Sequence, residues 1–249
     1  MYRILAIGNS FSEDATYFLH DILENAGVDN DVVNLYIGGC PLERHWSNIE
    51  RNAADYQYQR NGKKTDRYCS VAQILEEQTF DAVVTQQASG DSGWENTYEP
   101  FLGLILDFLK KRTRAELFLN ETWAYEAGSG HTHFMRYERS QELMFSRLKS
   151  AYKKAAANYG LPLIETGEVI QNLRLFPFFN GDSRFITRDG FHLHFLYGRY
   201  AAALAWAKKL AGIDVTANSY LPEVDFMPSE KADPEIIRMI RKTVNETIR

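Results

Sequence analysis

The feature that most constrains this chain is a series of short apolar runs, each closed by a turn residue and separated by stretches with helical spacing. Ile4-Leu5-Ala6-Ile7 is the first, ended by Gly8-Asn9-Ser10. Four consecutive apolar residues leave no polar face for water, so such a strand suits a parallel sheet covered on both sides. Ala15, Phe18, Leu19, Ile22, Leu23 and Ala26 then recur at helical spacing, and Gly27 supplies the stop. Val32-Val33-Asn34-Leu35-Tyr36-Ile37 follows as a second strand and ends at Gly38-Gly39. Strand, helix and strand in this order form a βαβ unit, which is parallel and right-handed.

The alternation resumes after a polar, aromatic interruption over residues 41–70. Within it, Asp55-Tyr56-Gln57-Tyr58-Gln59 and the segment 64–68 flank an Asn61-Gly62 turn signal, which predicts an inserted β-hairpin at about 52–70. Further core strands are expected at 80–85, at 116–119 and at 161–164, the last shortened by Pro162. Helices are expected over 101–111, along the stripe Leu143, Leu148, Tyr152, Ala155 and Tyr159 up to Gly160, and over 198–210. A final helix at about 234–249 starts at Asp233-Pro234 and carries Ile236, Ile240, Val244 and Ile248 on one face. The expected architecture is a three-layer α/β/α sandwich around a five-stranded parallel sheet. With no internal repeat and no linker, residues 1–249 are read as a single domain, long enough to bury its own core.

Charge and hydropathy narrow the partners. The net charge is −5 and no basic stripe interrupts the mixing of signs, so nucleic acid is not an expected ligand. The longest apolar stretches, 101–106 and 201–206, fall far below the ~20 residues that span a bilayer, so no membrane insertion is expected. A strand-like run begins directly at Tyr2, which predicts a cytoplasmic protein, or an extracytoplasmic one if Met1 stands where a leader was removed. Cys40 and Cys69 are too far apart for a Cys-x-x-Cys site and are read as structural thiols.

In sheets of this kind, ligands bind beyond the carboxyl ends of the strands, which directs attention to the loops after residues 7, 37, 85, 119 and 164. The first, Gly8-Asn9-Ser10-Phe11-Ser12, has neither the spacing of a phosphate loop nor that of a dinucleotide fingerprint, and it is not a Gly-x-Ser-x-Gly elbow. It places a serine at the sheet edge immediately before a helix, where a serine also serves as a cap. Ser12 is read as the cap and Ser10 as the candidate nucleophile. Arg188-Asp189-Gly190-Phe191-His192 lies between the last strand and the next helix. Asp and His three residues apart can set a carboxylate on one imidazole nitrogen and leave the other for a substrate-side proton, the base and orienter of a serine triad.

On these residues the chain resembles an SGNH hydrolase of the GDSL-type lipase and esterase superfamily. Ser10 matches the nucleophile block after the first strand, Gly38-Gly39 the glycine block after the second, and Asp189 with His192 the closing Asp-x-x-His block. The resemblance runs from Ile4 to about residue 210 and implies a flavodoxin-like strand order. Gly90-Asp91-Ser92 and Gly181-Asp182-Ser183 spell the motif more literally, but neither follows the first strand. The Gly90-Asp91-Ser92-Gly93 string is also similar to the serine block of trypsin-like proteases, whose all-β pattern is missing. After the third core strand the family has Gly-x-Asn-Asp, whose asparagine donates to the oxyanion, whereas this chain has Gln86-Gln87-Ala88-Ser89-Gly90. The resemblance then implies an oxyanion hole of the Ser10 and Gly39 N–H groups with the Gln87 amide, Gln86 being the alternative.

The implied chemistry is ester hydrolysis through an acyl-enzyme, without a metal or organic cofactor. Short acyl groups, acetyl first, on a carbohydrate are the expected substrates. Trp46, Trp94 and Trp123 are the expected sugar contacts, with Tyr56, Tyr58, Tyr98 and Tyr125 nearby in the inserted segments. No aliphatic groove for a long acyl chain is evident, so a lysophospholipase or lipase activity ranks second. Two further readings compete. The pairs His131-Thr132-His133 and His192-Leu193-His194 could meet in a zinc site. Alternatively, the scaffold could hold a sugar without turning it over.

Overall fold

A computed structural model describes residues 1–181 and 184–249. In chain order its elements begin with β1 (Tyr2–Gly8), α1 (Ser10–Thr16), α2 (Leu19–Asn25), β2 (Asn30–Tyr36) and α3 (Leu42–Glu50). The hairpin β3 (Tyr56–Arg60) and β4 (Lys63–Cys69) follows, then α4 (Val71–Glu77), β5 (Ala82–Thr85) and α5 (Phe101–Lys110). The chain continues with β6 (Glu116–Asn120), α6 (Gln141–Tyr159), β7 (Leu163–Ile164), α7 (Thr166–Leu173), α8 (Tyr197–Ala211) and α9 (Pro234–Thr247). One sheet of seven strands, ordered β4-β3-β2-β1-β5-β6-β7, runs through the molecule. The five strands β2-β1-β5-β6-β7 pair in parallel, as the apolar runs predict, and the hairpin extends the same sheet antiparallel to β2. The expected count of five is therefore that of the parallel core, and the sheet itself has seven strands.

Ile4, Leu5, Ala6 and Ile7 are wholly buried, as an all-apolar run between two helix layers must be. On the helical side, α8 packs against α1, α2, α7 and α9, and α3 packs against α5. The single helix expected over 15–26 is two helices broken at Tyr17 and Phe18. The break admits the hairpin turn, because a Cβ on Gly62 would lie 2.2 Å from the Tyr17 carbonyl oxygen. Asn61 and Gly62 both have positive φ, the signature of the tight turn that Asn-Gly prescribes. Asn61 is further pinned to β2, its Oδ1 accepting the Val32 N–H at 2.9 Å. The sequence reading missed α3, α4 and α7. In α3 the buried positions Leu42, His45, Asn48 and Ile49 do keep helical spacing, but half of them are polar.

Within this core sits an ionisable group with no counterpart. Glu121, directly after β6, is fully buried, and neither carboxyl oxygen has a hydrogen-bond partner among the described residues. Burial first and the Glu168 charge second push its acid up to about 8, with Lys149 opposing. Between pH 4.5 and 8 the folded chain thus holds a proton that an unfolded Glu gives up, so this group's contribution to stability falls as pH rises through that window. The variant Glu121→Gln is expected to keep the shape and remove the dependence. Its thermal midpoint should exceed that of the wild type above pH 8 and converge on it near pH 5. Parallel midpoint curves for the two proteins would contradict the assignment.

Candidate active site

All five parallel strands end at one edge, and the turn after β1 is the most tightly specified structure on it. Asn9 caps α1, its Oδ1 accepting the Phe11 N–H at 3.0 Å. Ser10 therefore opens the helix, half-exposed, while Ser12 behind it is buried with its Oγ 2.8 Å from both the Asn9 carbonyl and Asn34 Oδ1. The cap expected at Ser12 is thus Asn9, and Ser12 is a packing residue. It also explains Gly8, where a Cβ would sit 2.4 Å from the Ser12 Oγ.

A chain of amide side chains fixes this turn across the sheet edge. Asn120 at the end of β6 accepts from Thr166 Oγ1 at 2.6 Å and Trp206 Nε1 at 3.0 Å. Its Nδ2 donates to Gln86 Oε1 at 2.8 Å, and Gln86 Nε2 donates in turn to Asn9 Oδ1 at 3.0 Å. The Asn9 Nδ2 donates onward to the Cys40 carbonyl at 3.1 Å, in the loop after β2. Aligned donors polarise one another, so such a chain holds its members more firmly than separate pairs would. An aspartate at position 9 could not donate to Cys40, which accounts for Gly-Asn-Ser in this chain.

The Asp189–His192 loop is held in two places. Asp14 of α1, fully buried, accepts from the Leu193 N–H at 2.9 Å, Arg199 Nε at 2.7 Å and Arg188 Nη1 at 3.0 Å. On the other side, Glu126 N–H donates to the Gly190 carbonyl at 2.8 Å and Trp123 Nε1 to the Phe191 carbonyl at 2.7 Å. Glu126 is itself paired with buried Arg174 at 3.2 Å. Within the loop, Asp189 Oδ2 lies 2.6 Å from His192 Nδ1, and Oδ1 accepts the His192 N–H at 2.8 Å. Burial alone would raise the Asp189 carboxyl, but the bonds from the His192 ring and from the His192 and Phe191 N–H groups outweigh it and hold it below its ordinary value. The ring of Phe11, the residue after Ser10, meets the His192 ring edge at 6.1 Å. Ser10 Oγ and His192 Nε2 carry no hydrogen bond to any described residue, so neither is committed elsewhere.

The glycine and glutamine loops part company. Gly39 is exposed with φ +60°, and its N–H is free of described partners. Gln87, by contrast, is almost fully buried and spent. Its Nε2 donates to the Thr97 carbonyl and hydroxyl at 2.9 and 3.1 Å, and its Oε1 accepts the Leu42 and Ala88 N–H groups. It ties the loops after β2 and β5 together and presents no donor to the edge. The alternative, Gln86, is consumed in the amide chain.

Among the expected sugar contacts, Trp123 is corrected outright. It is fully buried, stacked on Phe11 at 4.0 Å with its N–H on Phe191, and so backs the Asp189–His192 loop instead of meeting a ligand. Trp94 carries the Arg136 and Arg147 guanidinium groups over its ring at 4.9 and 5.1 Å. Trp46 is half-buried on α3, beyond the Gly39 loop. Of the tyrosines, Tyr56, Tyr98 and Tyr125 are buried to within 2% and belong to the core.

The remaining histidines sort by position. His131 reaches the site, packing on Phe191 at 4.7 Å as His192 does at 4.2 Å. Burial, then the His133 and His192 rings, hold its basicity below the usual value. His194 accepts the Leu196 N–H at the start of α8 and lies 3.6 Å from Glu230. Among the described residues, no group of three or more His, Cys, Asp or Glu is arranged to hold a metal ion. Cys40 and Cys69 are buried free thiols, Cys40 pushed up by burial to about 12, so neither is a nucleophile at neutral pH. Ser92 of the first literal motif is buried and bonded to the Ser89 carbonyl, while Asp182 and Ser183 of the second lie outside the described residues. A cleft of about 740 Å³ lined by Tyr17, Asp21, Arg60 and Tyr220 lies by the hairpin turn, away from the Ser10 edge.

Serine after the first strand and Asp-x-x-His before α8, on a parallel sheet of this order, define the SGNH hydrolase fold. Solved structures agree: a protein from Slackia heliotrinireducens provisionally described as an SGNH hydrolase superposes with a TM-score of 0.60 at 23% identity, covering 84% of this chain and 98% of its own. The acetyl xylan esterase AlAXEase superposes with a TM-score of 0.55 at 16% identity, covering 82% and 98%. The family is narrower, for residues 3–233 match the domain of unknown function DUF4886, and the chain belongs to that family. A DUF4886 family protein from Bacteroides uniformis is 36% identical, with a TM-score of 0.89 over 99% of this chain and 94% of its own. No curated protein matches the chain.

Asp14 was not singled out by the sequence reading, and its only signal there is an acid four residues after Ser10 on an otherwise core-facing helix. Removing it leaves Arg199 and Arg188 without their carboxylate in a buried site. The variant Asp14→Ala is therefore expected to lose about 3–5 kcal/mol of stability, read from urea unfolding midpoints. A loss within about 0.5 kcal/mol, the range of surface changes, would show that the anchor is dispensable.

Proposed function

We propose that this protein is a serine ester hydrolase in which Ser10 is the nucleophile, His192 the general base and Asp189 the residue that orients it. The observation that carries this reading is the 2.6 Å Asp189–His192 pair, set against the Phe11 ring beside an uncommitted Ser10. With Nδ1–H held by Asp189, the lone pair of His192 is on Nε2 and can accept the Ser10 proton. The Ser10 oxygen then bonds to the ester carbon while the carbonyl electron pair moves onto oxygen. The Ser10 and Gly39 N–H groups are the backbone donors for that oxyanion. On collapse, the C–O bond to the alcohol breaks and His192 returns its proton to the leaving oxygen. Water, deprotonated by the same imidazole, attacks the acyl-enzyme and releases the acid and free Ser10.

Short acyl groups suit the surroundings best. The space behind His192 is filled by the stacked Phe11 and Trp123 rings, and Phe191 closes one side. Acetyl esters of a carbohydrate are the proposed substrates, with the half-buried Trp46 as the flat face for a sugar ring. The acetyl xylan esterase that shares the fold supports the same choice.

The test is hydrolysis of p-nitrophenyl acetate, butyrate and octanoate by the wild type and by Ser10→Ala, alongside fluorophosphonate labelling and EDTA. Activity is expected to be highest on acetate, to vanish in Ser10→Ala and after labelling, and to survive EDTA. Undiminished activity in Ser10→Ala would remove the nucleophile, and preference for octanoate would replace the short-acyl assignment with a lipase-type one.

A further inference from the structure

The Ser10 and Gly39 N–H groups come from two of the loops around the oxyanion, and the loop after β5 faces the same edge. The side-chain donors of its first turn, residues 86–92, can be taken in turn. Gln86 donates to Asn9 and Gln87 to Thr97, and Ser92 is buried with its hydroxyl on the Ser89 carbonyl. Ser89 remains. It is half-exposed, and its Oγ lies 2.8 Å from the phenol oxygen of Tyr125.

The Tyr125 side sets the direction of that bond. Tyr125 is fully buried, and Ser89 is the one hydrogen-bond partner of its hydroxyl among the described residues. A buried O–H seeks an acceptor, because leaving it unpaired is unfavourable. Tyr125 therefore donates to Ser89 Oγ, and the proton of Ser89 is left to point elsewhere. The same tyrosine locates the pair, since its ring meets Phe191 at 5.8 Å and Phe191 meets His192 at 4.2 Å. The Ser89 N–H is also without a described partner.

We propose that Ser89 is a catalytic residue whose hydroxyl is the third hydrogen-bond donor to the oxyanion, fixed in its donating orientation by Tyr125. This inference rests on the serine esterase reading above. No proton is transferred: the Ser89 O–H bond stays intact and only its hydrogen bond strengthens as negative charge builds on the carbonyl oxygen. Because that charge is absent from the bound ester, the effect belongs in kcat and not in KM.

The experiment measures kcat and KM on p-nitrophenyl acetate, the fluorophosphonate inactivation rate, and the thermal midpoint, for wild type, Ser10→Ala, Ser89→Ala, Ser89→Thr and Tyr125→Phe. The phosphonyl oxygen needs the same donors, so inactivation reads the site independently of the natural ester. Ser89→Ala is expected to lower kcat and the inactivation rate by about 10²-fold, as deletion of an oxyanion donor does elsewhere, with KM little changed and the midpoint lowered because the buried Tyr125 hydroxyl loses its acceptor. Ser89→Thr, which keeps a hydroxyl, should restore most of both rates, and Tyr125→Phe should fall between. Wild-type kcat and inactivation in Ser89→Ala, with both abolished in Ser10→Ala, would overturn the role of Ser89 and leave the esterase standing. Retention of both in Ser10→Ala would overturn the esterase and this inference together. Should Ser89→Ala unfold, Tyr125→Phe with unaltered rates would overturn the inference in its place.

Discussion

The hydrogen bonds that run from Trp206 and Thr166 through Asn120, Gln86 and Asn9 to the Cys40 carbonyl all point the same way across the carboxyl edge of the sheet. A parallel sheet leaves its strand ends without partners along that edge, and loops alone would settle there in many arrangements. Each amide both accepts and donates, so it spans the gap to the next strand and passes the constraint on. At the end of the chain, the Asn9 side chain caps the helix that Ser10 opens and grips the loop that carries Gly39. The two backbone donors proposed for the oxyanion are thus spaced by the side chain between them.

The Asp189–His192 loop has no strand to ride on and is placed by charge and by stacking. Asp14, buried inside α1, gathers Leu193, Arg199 and Arg188, so the loop is referred to the same helix that presents Ser10. Three donors on one carboxylate offset the desolvation that would otherwise make a buried charge unfavourable. Phe11, stacked on Trp123 and edge-on to His192, fills the remaining space and leaves the imidazole little room to swing. A side chain held by its supporting residues keeps its geometry better than one on a free loop.

Against this background the glutamines of the β5 loop acquire a structural meaning. Gln87 has the hydrogen-bonding capacity of an oxyanion donor, but a buried amide must satisfy both its ends, and Thr97, Leu42 and Ala88 do so completely. The residue type suggests the chemistry, and the local count of donors and acceptors decides whether that chemistry faces the substrate.

What the sequence alone determined was everything carried by local period and local spacing. The apolar runs fixed five parallel strands, Asn61-Gly62 fixed the hairpin turn, and Asp189-x-x-His192 fixed a carboxylate on an imidazole, because three residues of loop bring those groups together wherever the loop lies. Tertiary structure decided which groups remained free. Half the buried face of α3 is polar, so its period is legible only once α5 packs against it. Trp123 looked like a sugar contact by type and is a buried prop, and Gln87 is a tie between loops. Asp14 carried no motif at all, since its meaning comes from residues about 175 to 185 positions away. Burial and hydrogen-bond commitment are set by partners distant in the chain, and no local pattern encodes them.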